Sequence, residues 1–324
     1  MANSYERSAS HMHISNLIRT TFLTIVLAST SLTQGFSSDT GLVEDPTWRD
    51  QPLSIRAQRI EIPSKITGRT YQIFVFVPSS PPPPEGYPVL YMLDGNASYP
   101  LAASQLEIAL HTPRPGGLKQ ALMVGIGYQG DVVFDMAART EDYTPPAKDL
   151  SNTGDPSGRK QGGADRFLDF IENELKPRIE NDFAINKERQ TLFGHSYGGL
   201  FTLHTLFTRP DAFQTYIAAS PSVWWNRQYV LKEKDLWLEN HSSDEPFPKL
   251  ALGIGTLEFP ENRIASSSER AKILAERAKG VSLKELSEEL RSLGMPVDYY
   301  EFAENDHGTA RVSMITHALR IAFQ

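Results

Sequence analysis

Thr191-Leu192-Phe193-Gly194-His195-Ser196-Tyr197-Gly198-Gly199-Leu200 (191–200) is the stretch on which the fold turns. Three residues suited to a buried strand run into Gly-x-Ser-x-Gly, and Leu200–Phe207 continues as an apolar helix closed by Arg209-Pro210. A serine at the apex of a sharp strand-to-helix turn sits in strained backbone, and small neighbours let strand and helix close around it. The helix N-terminus then offers backbone amides beside the hydroxyl. The five-residue pattern alone is common in unrelated chains, where it marks a Gly-rich turn. With a strand before it and a helix after it, Ser196 reads as a nucleophile.

Working outward, Tyr87–Leu93 and Leu122–Tyr128 are nearly continuous apolar runs, the first ending at Asp94-Gly95-Asn96. Runs of this kind read as parallel strands buried on both faces. Thr215–Ala219, Leu250–Ile254 and Val297–Phe302 read the same way. Leu53–Ile62 and Thr70–Val77 alternate apolar and polar residues and read as an antiparallel, half-exposed pair. Ala164–Ile179 carries Phe167, Leu168, Ile171, Leu175 and Ile179 at helical spacing, and a last helix runs from Val312 to the end. Ser266–Lys279 and Ser282–Leu293 read as helices with charged outer faces, a lid-like insertion. Gln129–Gly163 has no period and reads as a long functional loop. Strands alternating with helices imply an α/β protein with the α/β-hydrolase fold, a mainly parallel central sheet flanked by helices. One catalytic domain is expected over 45–324.

The net charge of −7 is spread along the chain, which argues against a nucleic-acid partner. With no cysteine there is no disulfide, thiolate metal site or Cys nucleophile. The histidines are scattered without ligand spacing and no phosphate loop is present, so neither a metal nor a cofactor is implied. Residues 1–11 read as an expression tag. Residues 12–38, with an apolar run Phe22–Leu27 after Arg19, read as a secretory signal peptide. That run is too short to span a bilayer, so stable membrane insertion is not expected.

A serine hydroxyl needs a base, and in this fold acid and then histidine follow the nucleophile. Of the histidines downstream, His204 and His317 lie within helices and His241 in a polar stretch. His307, in Asn305-Asp306-His307-Gly308 between the last strand and the last helix, is the expected base. Glu258, just after the Leu250–Ile254 strand, is the expected acid, with an acid-free Ser-His dyad as the alternative. Asp306 reads as a loop-shaping residue. The oxyanion hole is expected from the N–H of Tyr197 and a second N–H at Gly95 or Asn96.

YPVLYMLDGN (87–96), VGIGYQ (124–129), RTEDYTP (139–145), GHSYGGLF (194–201), SPSVWWN (220–226) and NDHG (305–308) together resemble the esterase-D-like esterases. Within that group the chain is similar to the esterases of enterobactin- and salmochelin-type trilactone siderophores. The resemblance implies a small-molecule ester substrate, a ferric siderophore, handled in the periplasm or outside the cell. It also implies that Arg139, with Tyr143 in the same segment, meets the anionic catecholate, and that Trp224 and Trp225 form an aromatic wall. Two other readings remain open. One is a carboxylesterase acting on acylated sugars or feruloyl esters, the other a catalytically weak ligand-binding protein of the same fold.

Overall fold

The computed structural model describes residues 57–112, 115–242, 244–262 and 268–324, all within one unit, Leu53–Gln324. The segments read above as tag and signal peptide lie outside the described residues. Among the described residues the strands are β1 (Gln58–Pro63), β2 (Thr70–Phe76), β3 (Tyr87–Met92), β4 (Leu122–Tyr128), β5 (Ile185–His195), β6 (Thr215–Ala219), β7 (Lys249–Gly255) and β8 (Val297–Phe302). They form a single sheet in the order β1-β2-β4-β3-β5-β6-β7-β8. β1 and β2, and β2 and β4, pair antiparallel; every other pair is parallel. β3 and β4 are buried at every position, as their unbroken apolar runs require. β1 is the exposed antiparallel edge; β2, expected to be half exposed, lies between β1 and β4 and is largely buried.

The helices are α1 (Gly95–His111), α2 (Met136–Asp142), α3 (Ala164–Phe170), α4 (Lys176–Asp182), α5 (Tyr197–Thr208), α6 (Trp225–Asn240), α7 (Glu269–Arg277), α8 (Leu283–Ser292) and α9 (Thr309–Phe323). Two apolar cores lie on opposite faces of the sheet. One gathers Tyr99 and Leu106 of α1 with Met314 and Leu319 of α9; the other gathers Phe167 of α3 with Leu200 and Leu203 of α5. Each core follows from the apolar periodicity of its helices.

Some elements depart from the sequence reading. β5 begins at Ile185, ten residues ahead of His195, and runs through Lys187-Glu188-Arg189, because this end of the strand projects into solvent and tolerates charge. The segment 129–163 is not all loop. Asp135 accepts from the Ala137 and Ala138 amides and caps α2. α3 and α4 are joined by a π-helical turn over Ile171–Leu175, beside Pro177, which has no N–H to donate. α6 was not apparent in the sequence; it opens with Asn226, Arg227 and Gln228 all at positive φ.

The parallel strands run the same way, so the loops that leave their carboxyl ends share one edge of the sheet. Asp94 follows β3, Ser196 follows β5, Ser220 follows β6, Glu258 follows β7 and His307 follows β8. A crevice outside the carboxyl ends is where an α/β sheet places its ligands.

Candidate active site

Ser196 joins β5 to α5 at φ 60°, ψ −117°. Non-glycine residues reach this backbone only under strain, which surrounding contacts must hold. The Ser196 N–H donates to Ala219 O at 3.0 Å, and Ser196 O accepts from Leu200 N at 2.9 Å and Ser222 N at 3.0 Å. The turn has no room for side chains at its glycines. A Cβ on Gly194 would lie 2.1 Å from Gly198 O, and one on Gly199 would lie 2.9 Å from Pro221 Cα.

The Ser196 hydroxyl lies 3.0 Å from His307 Nε2, and His307 Nδ1 lies 2.7 Å from Glu258 Oε2. A carboxylate only accepts, so Nδ1–H donates to Glu258 and Nε2 is left to accept the serine proton. Glu258 Oε1 accepts from Ser220 Oγ at 2.5 Å and Gly255 N at 3.1 Å. Burial pushes this carboxyl up, but the His307 hydrogen bond and charge, then Ser220 and Gly255, hold it below the ordinary carboxylate value. Leu257 N–H donates to Asn305 O and Glu304 N–H to Thr256 Oγ1, both at 3.0 Å, so the acid-bearing turn and the histidine loop are fastened together. Asp306 accepts from the Gly308 and Thr309 amides at 2.9 and 2.8 Å and shapes that loop.

Gly95 and Tyr197 are the first residues of α1 and α5, so their N–H groups have no acceptor within their helices. The Asn96 side chain is spent elsewhere: it bonds the Tyr128 N–H at 2.8 Å and carbonyl at 3.0 Å. Any part Asn96 takes in binding an oxyanion falls to its backbone.

Behind the serine lies a second set of polar groups. His195 is 4% exposed. Its Nε2 stands 2.7 Å from the His307 carbonyl and its Nδ1 stands 2.9 Å from Arg311 Nη2. The carbonyl can only accept and the guanidinium can only donate, so His195 is neutral with its proton on Nε2. Burial first, then the neighbouring His307 and Arg311, holds its pKa well below the ordinary imidazole value. Arg139 Nε and Nη2 clamp both oxygens of Asp94, at 2.8 and 2.9 Å. Asp94 stands at φ 51°, and its N–H donates to Tyr143 Oη at 3.1 Å.

These contacts correct the expected substrate-binding set. Arg139 is 5% exposed and Tyr143 fully buried; both support the Asp94 turn from within rather than line the cleft. Trp225 is fully buried too, with Nε1 donating to Gln161 Oε1 at 2.7 Å. Trp224 does line the cleft, a space of about 1210 Å³ that also takes in Ser196, Leu257, Ile273, Arg277 and His307. Sequence reasoning missed His195, Ser220 and Arg311. Ser220 sits in a Ser-Pro-Ser segment after a strand, and Arg311 lies four residues after His307, but neither spacing by itself distinguishes them from surface residues. Among the described residues no group of three or more His, Asp or Glu side chains is placed to hold a metal ion.

A strained serine, an imidazole and a carboxylate hydrogen-bonded in series at the carboxyl edge of this sheet define a serine hydrolase of the α/β-hydrolase fold. The chain belongs to the esterase family described as "Putative esterase", which matches residues 64–311. It is 40% identical over 262 residues to the ferri-bacillibactin esterase BesA of Bacillus subtilis, covering 80% of this chain and 86% of that one. It is 34% identical over 236 residues to the siderophore enterobactin esterase of Emericella nidulans, covering 68% and 77%. The solved structure of the BES protein from Bacillus cereus is similar at a TM-score of 0.72 and 32% identity, covering 86% of this chain and 99% of that one.

Proposed function

We propose that this esterase hydrolyses the ester bonds of a trilactone catecholate siderophore through an acyl-enzyme on Ser196. One observation carries the chemistry: the unbroken hydrogen-bonded series Ser196–His307–Glu258 opens directly into the cleft. Ser196 Oγ attacks the ester carbonyl carbon while His307 Nε2 takes its proton. Glu258 stabilises the imidazolium that results, and the Tyr197 and Gly95 amides receive the developing oxyanion. As the tetrahedral intermediate collapses, His307 returns the proton to the departing alcohol. Water, activated by the same imidazole, then releases the acid.

The substrate class is supported by relatives named for bacillibactin and enterobactin. Size agrees. A cleft of about 1210 Å³ exceeds the roughly 300–1,000 Å³ of an ordinary small-molecule site and suits a bulky macrocycle. The test is mass spectrometry of ferric and iron-free enterobactin after incubation with wild type and Ser196→Ala, beside feruloyl and acetyl-sugar esters. Linear trimer, dimer or monomer, absent with Ser196→Ala, supports the proposal. An intact trilactone beside a cleaved feruloyl or sugar ester overturns the substrate class.

We also propose a periplasmic or secreted location, supported by the leader-like pattern at 12–38. Intact-mass measurement on protein recovered from cell fractions decides it: a full-length cytosolic form refutes export.

A further inference from the structure

Arg139 is turned inward, and a different guanidinium lines the cleft. Arg277, near the end of α7, lays its guanidinium carbon 3.6 Å from the centre of the Trp224 ring. Both residues line the cleft that opens from Ser196. A guanidinium stacked this closely on an indole is fixed in direction and has shed part of its water.

The group is also short of partners. Among the described residues its one hydrogen bond runs from Nη2 to the Gly154 carbonyl, at 3.0 Å, and its buried Nε has none. The nearest acid by charge is Asp155, and that carboxylate is engaged by Tyr197 Oη at 2.7 Å and Ser157 N at 2.9 Å. Burial lowers the pKa of Arg277, and Tyr197 and Asp155 only partly oppose it. A desolvated guanidinium without a paired carboxylate is costly, and an anion delivered by a ligand relieves that cost.

The backbone that carries Trp224 is held in place. The next residue, Trp225, is buried, and the left-handed turn that follows is tied on both sides. Asn226 N–H donates to Thr153 O at 2.8 Å, while Gln228 exchanges hydrogen bonds of 2.9 and 3.0 Å with Val281 O and N. Strained backbone of this kind persists only where its surroundings hold it, and here it holds one wall of the cleft.

We propose that Arg277 and Trp224 form the subsite for an anionic aryl group, the aromatic acyl arm of the substrate, with Arg277 meeting the negative oxygen and Trp224 stacking on the ring. The subsite rests on the ester-hydrolase reading above and gives it a determinant of substrate choice.

The experiment is arranged so that the two can fail separately. Inhibition of p-nitrophenyl acetate hydrolysis is measured with 2,3-dihydroxybenzoate and with its uncharged amide, for wild type, Arg277→Gln and Arg277→Lys. A charge-assisted contact predicts that Arg277→Gln raises the inhibition constant of the benzoate about tenfold or more, beyond any change for the amide. Arg277→Lys, which keeps the charge and loses the planar stack, falls between. A parallel measurement with ferric enterobactin predicts a KM raised by a similar factor and kcat changed much less. Equal changes for benzoate and amide, or none for either, overturn the subsite. If wild type leaves ferric enterobactin intact, the siderophore reading fails while the inhibition pair still decides the subsite.

Discussion

The two sides of Ser196 are built on opposite principles. In front, His307 is half exposed and its hydrogen bonds run in series, so a proton has one route from serine to imidazole. Behind, His195, Asp94 and Arg139 are buried, Arg311 is half-buried, and the four are cross-braced, so no proton has reason to move. Yet the two sides touch. The ring centres of His195 and His307 are 4.7 Å apart, and His195 grips the backbone of His307. The front works because the back does not: a neutral, locked imidazole positions the one that must take and return the serine proton. Buried polar networks act this way only when every member is satisfied.

The largest test of the contrast is Ser196→Ala. If chemistry resides only in front, kcat for ester hydrolysis falls by about a hundred-thousandfold, with the melting temperature little changed because alanine keeps the same backbone and Cβ. Retention of even a hundredth of the activity would move the nucleophile elsewhere. Next in size is Glu258→Gln, which keeps shape and removes charge. Losing the orienting carboxylate lowers kcat about a hundred- to ten-thousandfold with KM little changed. Because the acid-free dyad predicts less than about a tenfold loss, steady-state kinetics separate the two.

The back is broken by Asp94→Asn. Its removal leaves Arg139 buried and uncompensated, and also deprives Arg311, whose Nη2 lies 3.9 Å from Asp94 Oδ2. Losing one partner of a buried pair costs about 3–5 kcal/mol, and at roughly 2–4 °C per kcal/mol a melting temperature lower by 6 °C or more is expected. If calorimetry finds no change, Asp94 is not the keystone of the rear network.

How much of this was legible in the sequence depended on whether a residue's role is local. The Ser196 turn, the apolar β3 and β4 and the amphipathic α3 announce themselves through spacing that nearby physics dictates. His307 and Glu258 were reachable through chain order. The short helix α2 hid in a segment without period because a side-chain cap, not an apolar stripe, sets it. Arg139 misled for a plainer reason. A guanidinium suits a buried carboxylate as well as it suits a ligand, and only the fold brings Asp94 to it from 45 positions away. His195 and Arg311 were invisible on the same account: a tautomer is fixed by two partners, and neither is adjacent in sequence.

The smallest test sets His195 against the other histidine of the elbow, His204 on α5. His204 is 1% exposed and lies 3.0 Å from both Asp165 Oδ1 and Glu233 Oε1. Burial lowers its pKa, but the hydrogen bonds and charges of Asp165 and Glu233 overcome that and raise it to about 9. A folded-state pKa raised above the ordinary 6.5 gives stability that is complete below about pH 6.5 and lost as pH rises through about 9. His195 has the reverse sign, since a depressed pKa makes the unfolded chain the better proton binder and stability falls as pH drops below about 6.5. The wild-type curve does not isolate either residue. Lys176, lowered by burial from 10.5 to about 8, adds stability as pH rises between those values, overlapping the upper end of the range where His204 loses it. The difference between wild type and His204→Gln is therefore the observable. It is expected to shrink by a few degrees of melting temperature between pH 7 and pH 10, as wild type loses a charge that the variant never had. A constant difference would place the proton of His204 outside this range, and two histidines nine residues apart would no longer be set by their partners to opposite states.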